Sequence, residues 1–136
     1  MIEKNRTSVY KVLYHLVFTT KYRKNIFYNF DRQNEMKKLL LYYCDEHNIR
    51  VDDLEIMSDH IHMIISFEPK YSISTIVKMI KGSLARLWFK KHPEDKKLLY
   101  KGHLWTNSYY IGTIGNMSKK RVLNYVKNQK NRSPNK

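Results

Sequence analysis

Apolar residues recur along the chain with two different periods, and these periods predict the order of strands and helices. Alternation every two residues is typical of strands, whereas spacings of three and four residues are typical of amphipathic helices. The pattern predicts strands over residues 9–19, 49–57, 60–67 and 104–114, and helices over 31–47, 73–88 and 119–130. The order strand, helix, strand, strand, helix, strand, with one additional helix, is typical of the ferredoxin-like α+β fold, in which an antiparallel sheet carries its helices on one face.

Residues that favour caps and breaks mark the ends of the predicted helices. Asp31, Ser72 and Ser118 precede the three helical stripes, and their side chains can accept hydrogen bonds from the first turn. Cys44 lies on the stripe of the first helix, where it is most simply a buried small hydrophobe. Pro93 and the charged run after it end the second helix. From its length of 136 residues, we expect the chain to form one domain, 1–136, with a polar tail over 127–136 that frays.

Two histidines are predicted to lie side by side on the face of the sheet opposite the helices. Successive side chains of a strand alternate between faces, so His60 and His62 share one face while Ile61 and its apolar partners share the other. Two imidazoles at this spacing can bind one divalent metal ion, although two surface histidines without a chemical role are also compatible with the pattern. His15 on the first strand shares this face and either supports a metal ligand, contacts a phosphate, or packs.

Asp59 stands at the entrance to the histidine-bearing strand. Its carboxylate either caps the turn before the strand or hydrogen-bonds an imidazole, and the sequence leaves both interpretations open. The face that carries the histidines also carries four aliphatic residues, Val9, Leu13, Val17 and Ile64. A fully solvated face would not keep so many, so we expect the last helix or a second subunit to cover it.

Tyr125 and Gln129 lie four residues apart on the last predicted helix and therefore share one of its faces. A helical tyrosine is most often a packing residue. An amide oxygen can bind hard cations such as Mg²⁺ or Mn²⁺, but it is an uncommon ligand. In isolation, neither residue indicates a site.

The charge of the chain favours a polyanionic partner. Twenty-six basic and 12 acidic residues give a formal net charge of +14 and a sequence pI near 9.8. The middle of the chain, residues 31–68, has nine acidic and four basic residues, whereas residues 69–136 have 16 basic and two acidic ones. Nucleic acid is the first candidate, contacting the first strand region and the carboxyl half, while a merely solvated basic surface is the alternative.

Several function classes are disfavoured by what the sequence lacks. It contains no GxxxxGK[ST] and no GxGxxG motif, so nucleotide-driven chemistry has no visible site. One cysteine excludes an internal disulfide framework and a multi-cysteine zinc site. No apolar stretch is long enough to span a membrane, and no signal peptide is visible, so we expect a cytoplasmic protein without membrane contact.

Five segments together resemble one known family. They are HLVFTTKYRKNIF at 15–27, DHIHMIISF at 59–67, IVKMIKGSLAR at 76–86, LWTNSYYIGTIG at 104–115 and VLNYVKNQ at 122–129. In this combination they are similar to the small single-tyrosine HUH transposases, the TnpA-type enzymes of the two-hundred/six-hundred-and-five group of bacterial insertion sequences. The resemblance covers nearly the whole chain.

The resemblance implies a metal-dependent endonuclease and strand transferase that acts on single-stranded DNA. His60, His62 and Gln129 would bind Mg²⁺ or Mn²⁺, and Tyr125 would attack the scissile phosphate and form a 5′-phosphotyrosine. Members of the family are homodimers with active sites shared between subunits, and they recognise DNA hairpins near the ends of the element. The alternatives are a non-catalytic ferredoxin-like module that binds single-stranded DNA or RNA, and a domesticated relative that processes repeated hairpins.

Basic and aromatic residues supply candidates for DNA contact. The cations are Lys21, Arg23, Lys78, Lys81 and Arg86, and the candidate stacking surfaces are Trp105 and Tyr109. Aromatic residues on a strand are usually part of the core, however, and exposed cations are often simply solvated. The exposure of these side chains in the folded protein distinguishes the two interpretations.

Overall fold

The computed structural model describes residues 12–115, and the N-terminal 11 and C-terminal 21 residues lie outside the described part. Strand β1 (Leu13–Thr19) leads through a 3₁₀ turn (Lys21–Arg23) to helix α1 (Phe30–Glu46). Strands β2 (Arg50–Ile56) and β3 (His60–Ser66) follow as a hairpin. Helix α2 (Ile73–Lys91), the short helix α3 (Pro93–Lys97) and a second 3₁₀ turn (Tyr100–Gly102) precede strand β4 (Tyr110–Gly115). The predicted helix over 119–130 and residues 9–11 of the predicted first strand are outside this range.

The four strands form one antiparallel sheet in the order β2-β3-β1-β4. The first and third strands are therefore neighbours, as the ferredoxin-like arrangement requires. Thr19 lies opposite His60, and Val17 lies opposite His62. This register, together with the α+β composition, confirms the predicted fold class.

Both helices pack on one face of the sheet and form the hydrophobic core with it. Leu16 and Phe18 of β1 and Ile61, Met63 and Ile65 of β3 are all at most 1% exposed. Helix α1 contributes a stripe that includes Cys44, as its periodicity predicts. Burial raises the pKa of the Cys44 thiol to about 12, so the side chain is an unreactive core residue rather than a nucleophile.

The opposite face of the sheet is buried at its centre, whereas Leu13 and Val17 are half-buried. His15, His62 and Ile64 are at most 3% exposed in the single chain. Leu13 and Ile114 pack against Ile64 and form a small second cluster. What covers the rest of this face, the last helix or a second subunit, stays a prediction, because residues 116–136 lie outside the described part.

Two predicted boundaries are wrong. Asn29, not Asp31, is the N-cap of α1, since its Oδ1 accepts a hydrogen bond from the Arg32 amide at 2.9 Å. The second helix does end just before Pro93, at Lys91, but the charged run after it forms the separate short helix α3, because proline at the first helical position lacks only an amide that has no helical partner. By contrast, Ser72 caps α2 as predicted, accepting from the Thr75 amide at 3.1 Å.

The fourth strand also begins later than its sequence pattern predicts, at Tyr110 rather than Leu104. Leu104 and Trp105 are apolar because they are core residues of a loop, and they are 1% and 6% exposed. A single bridge joins Trp105 to Thr20, so the loop touches the end of β1 without continuing the ladder. Within residues 12–115 no helix is long and apolar enough to cross a membrane.

A buried ion pair joins helix α1 to the short helix α3. Arg32 of α1 donates from Nη2 to the Asp95 carboxylate of α3 and from Nε to the Ile26 carbonyl at 2.7 Å. Trp88 Nε1 donates to the same Asp95 carboxylate at 2.8 Å. The pattern of apolar positions did not indicate this network, which ties α1, α2 and α3 to the loop before α1.

Candidate active site

His60 and His62 lie side by side on β3, with their rings 4.8 Å apart between centroids. Both side chains belong to the face opposite the helices, as strand alternation predicts. They are 7% and 3% exposed, so they are not surface histidines, and their role as metal ligands stays a prediction. A buried pair of imidazoles on a rigid central strand is a preformed donor pair.

Asp59 fixes the orientation of His60. Its Oδ1 lies 2.7 Å from His60 Nδ1, and its Oδ2 accepts from Arg23 Nε at 2.9 Å. A carboxylate at Nδ1 favours the tautomer with its proton on Nδ1, which leaves the Nε2 lone pair available for a metal ion. The structure thus decides between the two interpretations of Asp59 in favour of the hydrogen bond to the imidazole.

The charge of Asp59 is set by the same contacts. Burial by itself raises the pKa of this carboxyl group, but the hydrogen bonds from His60 and Arg23 and the charge of Arg23 outweigh it, and the pKa is lowered. Asp59 is therefore an anion at neutral pH. A carboxylate in this position holds the ring in a fixed orientation, as it does for many metal-binding histidines.

An unusual turn places Arg23 against Asp59. Tyr22 and Arg23 have φ values of 59° and 53°, in the left-handed region that residues other than glycine rarely adopt. Thr20 holds the turn to the β2–β3 hairpin, because its amide and its hydroxyl donate to the Asp59 carbonyl at 2.9 and 3.2 Å. Arg23, predicted as a DNA contact, is thus already engaged with the carboxylate that orients His60.

His15 extends the row of rings on this face. Its ring is 6.0 Å from His62 in a stacked arrangement and 5.5 Å from Tyr110 in an edge-to-face one. Burial lowers the pKa of His15, which favours the neutral imidazole. A Cβ at Gly112, which lies opposite His15, would come 2.7 Å from the Tyr110 hydroxyl, so this glycine makes room for the tyrosine. His15 therefore supports His62 by packing.

Among the other cations predicted to contact DNA, Lys81 differs from Lys21, Lys78 and Arg86. Lys78 and Arg86 are exposed on α2, and Lys21 is half-buried with its Nζ 5.5 Å from the centre of the Tyr22 ring. Lys81 instead donates to the carbonyls of Thr106 and Ser108 at 2.7 and 3.4 Å. Burial lowers the pKa of Lys81. Its position indicates that it anchors the loop before β4.

The two predicted stacking residues differ in availability. Trp105 packs edge-to-face on Phe18 at 4.7 Å, and its Nε1 donates to the Lys81 carbonyl at 3.0 Å. It is a core residue, and its assignment as a DNA-stacking surface is wrong because its ring is enclosed by the core. Tyr109 is 38% exposed, and Lys81 Nζ lies 5.4 Å from its ring centre. Tyr109 therefore keeps surface on which a base can stack.

The donor set fits a divalent cation in part. His60 and His62 offer two imidazoles, one of them oriented by a carboxylate, which is the usual arrangement of a metal-binding histidine. Within residues 12–115 no group of three or more histidine, cysteine or acidic residues is placed to hold a metal ion. Tyr125 and Gln129, the predicted nucleophile and third ligand, lie outside the described residues.

Comparison with known proteins assigns this geometry to a family. The model of the family "Transposase IS200 like" matches residues 8–129, nearly the whole chain. The chain belongs to the IS200-like transposase family. The ISDra2 transposase TnpA of Deinococcus radiodurans is 31% identical over 128 residues, which are 94% of this chain and 91% of the relative. The IS200 transposase of Salmonella typhimurium is 30% identical over 116 residues, covering 85% of this chain and 75% of the relative.

Solved structures agree with this assignment. A crystal structure of a Deinococcus radiodurans R1 protein described as a transposase superposes with a TM-score of 0.72 and 30% identity, covering 89% of this chain and 92% of the other. A REP-associated tyrosine transposase bound to a REP hairpin gives a TM-score of 0.60 at 12% identity, over 88% of this chain and 70% of the other. The second likeness shows the shared fold. The resemblance to TnpA-type transposases is thus confirmed, and the α+β sheet is that of the family.

Proposed function

We propose that this IS200-like transposase cleaves and rejoins single-stranded DNA through a 5′-phosphotyrosine intermediate. Tyr125 is the nucleophile, and His60, His62 and Gln129 bind Mg²⁺ or Mn²⁺. The observation that carries the proposal is the buried imidazole pair oriented by Asp59 in a chain whose family match extends to residue 129. That match spans both Tyr125 and Gln129.

The proposed chemistry conserves phosphodiester energy. The Tyr125 hydroxyl gives up its proton as its oxygen attacks the scissile phosphorus, the bond from phosphorus to the 3′ oxygen breaks, and the leaving 3′ oxygen takes up a proton to become a hydroxyl. The 5′ phosphate is then esterified to the tyrosine, and attack by a 3′ hydroxyl reverses the exchange during joining. Because one phosphoester replaces another, the reaction needs no nucleotide-binding loop, which agrees with the motifs that the sequence lacks.

The metal ion supplies Lewis-acid stabilisation of the phosphoryl oxygens when it is bound. A phenol with an ordinary pKa near ~10 is a weak nucleophile at neutral pH, so the reaction depends on such activation. The task of the protein is to keep two imidazole nitrogens available in a fixed direction. Asp59 and His15 do this by a hydrogen bond to His60 and by packing on His62.

We further propose that the DNA substrate carries hairpins and that the enzyme is a cytoplasmic homodimer with active sites shared between subunits. The structural neighbour bound to a REP hairpin supports hairpin recognition, since it has the same fold. The concentration of positive charge outside residues 31–68 supports a DNA ligand in general. No membrane contact is part of the proposal.

Formation of a covalent adduct tests the chemistry. The full-length protein is incubated with hairpin-bearing single-stranded DNA and Mn²⁺ or Mg²⁺, and adducts are separated on a denaturing gel. We expect an adduct with the wild type and none with Tyr125→Phe, because only the phenol oxygen is removed. Tyr42→Phe, at an exposed position of α1, is the matched control and should retain the adduct.

Binding measurements separate the alternatives. Chelation should abolish cleavage and leave most of the hairpin binding, as should Tyr125→Phe. Tight binding without any adduct would instead support a non-catalytic nucleic-acid-binding module. An adduct that survives in Tyr125→Phe would show that another residue is the nucleophile.

Mixing two inactive variants tests the shared sites. Tyr125→Phe and His60→Ala each lack one component, and a mixed dimer with composite sites contains one intact site. We expect the mixture to recover part of the wild-type adduct yield, whereas each variant alone forms none. No recovery under conditions of verified subunit exchange would place all catalytic residues within one subunit.

A further inference from the structure

A groove runs along α2 on the side of the molecule that faces the loop before β4. We call it the α2 groove. It has a volume of about 640 Å³ and lies between Lys78, Gly82 and Ala85 on the helix and His103, Asn107 and Tyr109 on the loop. A second depression of about 500 Å³ continues it toward the end of α2, and the two share Ala85 and Gly102. The groove therefore follows several turns of one helix face.

The charge of the α2 groove is of one sign. Helix α2 contains five basic residues, Lys78, Lys81, Arg86, Lys90 and Lys91, and no acidic one. Among the residues that line the groove and its continuation, as far as the structure describes the chain, none is acidic. An elongated anion is the ligand that complements such a surface.

At Gly82 the helix backbone is exposed to the groove without a side chain. The fold itself does not require a glycine at this position. The residue lies in the middle of α2, where glycine is less stable than alanine. A Cβ placed on Gly82 would meet no atom within 4 Å, and its backbone has no left-handed φ. Packing and backbone conformation therefore leave the choice of glycine unexplained. Close approach of a ligand to the helix backbone explains it.

A chain of hydrogen bonds links α2 to the strand that pairs with the histidine-bearing strand. Lys81 on the helix donates to the Thr106 carbonyl, and the Thr106 amide donates to the Thr19 carbonyl at 3.0 Å. Thr19 lies opposite His60 in the sheet. The end of β1 therefore lies between His60 and the loop that lines the groove.

We propose that the α2 groove binds unpaired nucleotides adjoining the scissile phosphate, with one nucleotide lying against Gly82. The inference rests on the proposed function and adds the path of the substrate. A groove of this volume holds ligands on the scale of a few nucleotides and not a duplex. Lys78 and Arg86 contact the phosphates, and the exposed surface of Tyr109 stacks on a base.

Substitutions at Gly82 test the proposal, with binding followed by fluorescence anisotropy on the full-length protein. The probes are a labelled oligo-dT of about 12 nucleotides, within the range of known single-strand site sizes, and a labelled hairpin without unpaired flanks. We expect Gly82→Leu to weaken oligo-dT binding about 10-fold, the loss of one nucleotide contact, and to leave hairpin binding unchanged. Gly82→Ala should weaken oligo-dT binding less and raise the Tm by about 2–5 °C.

Charge variants provide the matched control. Lys78→Ala in the groove and Lys37→Ala on the exposed surface of α1 remove the same charge. Only Lys78→Ala should weaken oligo-dT binding beyond the small general effect of lost charge. The higher Tm of Gly82→Ala would show that reduced binding does not come from misfolding.

Several results would overturn the α2 groove as a single-strand site. They are a wild type that does not bind oligo-dT, a Gly82→Leu variant that binds it normally, and a variant that loses hairpin and oligo-dT binding equally. The absence of a covalent adduct would contradict the proposed chemistry but not the groove. If the wild type forms no adduct and Gly82→Leu still weakens oligo-dT binding, the α2 groove is a single-strand site and the phosphotyrosine mechanism is wrong.

Discussion

At the scale of single residues, the chemistry of the histidine pair depends on a carboxylate that belongs to the preceding turn. Asp59 bonds His60 on one side and Arg23 on the other. Its lowered pKa keeps it charged at neutral pH, so the His60 ring stays in one tautomer. The nitrogen that we propose as the metal ligand is thus left without a proton.

Replacing Asp59 should weaken metal binding. In Asp59→Ala the His60 ring loses the partner of Nδ1, and we expect the affinity for Mn²⁺ to fall about 10- to 100-fold, the usual effect of removing such a partner. Isothermal titration calorimetry of the full-length protein measures this directly. Asp45→Ala, an exposed carboxylate of α1, is the control. Equal affinities for the wild type and Asp59→Ala would exclude the orienting role.

The sequence predicts part of this arrangement. Strand parity alone places His60 and His62 together and puts His15 on the same face. It does not predict the contact of Arg23 with a carboxylate 36 positions away, because that contact requires left-handed backbone at Tyr22 and Arg23. Such conformations follow from tertiary contacts that no local pattern encodes.

At the scale of elements, the helices begin where tertiary structure selects among several capable residues. Asn29 and Asp31 can both cap α1, and the structure uses Asn29 because the chain is still extended there. The sequence pattern predicts Asp31, although asparagine and aspartate have similar preferences for this position. The fourth strand was misplaced for a related reason, since a loop that buries Leu104 and Trp105 has the composition of a strand.

The two caps should differ in their effect on stability. Asn29→Ala removes the acceptor of the Arg32 amide, and we expect the free energy of unfolding to fall by about 1 kcal/mol. Asp31→Ala removes only a charge in the first turn and should cost less. Urea denaturation followed by circular dichroism compares them. A larger loss in Asp31→Ala would restore Asp31 as the cap.

The Arg32–Asp95 pair should be the most sensitive contact between the helices. Asp95→Ala leaves a buried guanidinium without its partner and Trp88 Nε1 without its acceptor, so we expect a loss of about 3–5 kcal/mol in the free energy of unfolding. Denaturant titration measures the loss. Arg32→Met combined with Asp95→Leu should recover part of it, because no charge is then buried alone. If Asp95→Ala lowers the free energy of unfolding by less than an ordinary surface substitution does, the ion pair does not hold the helices together.

At the scale of the whole molecule, the sheet order separates the two signs of charge. Strand β2, with Asp52, Asp53 and Glu55, lies at one edge of the sheet, and β4 lies at the other. Helix α2 and the loop before β4 carry the groove and its cations. The uneven charge along the sequence thus becomes an acidic edge that repels DNA and a basic side that attracts it.

This separation predicts a specific salt dependence of DNA binding. Each phosphate neutralised on a single strand contributes about −0.7 to the slope of log K against log salt concentration. We expect Lys78→Ala and Arg86→Ala each to make the slope for oligo-dT shallower by about 0.7, and Lys37→Ala to leave it unchanged, because only the first two face the proposed path of the strand. Anisotropy titrations at several salt concentrations give these slopes. Equal changes for all three variants would mean that net charge alone, rather than its placement along α2, governs binding.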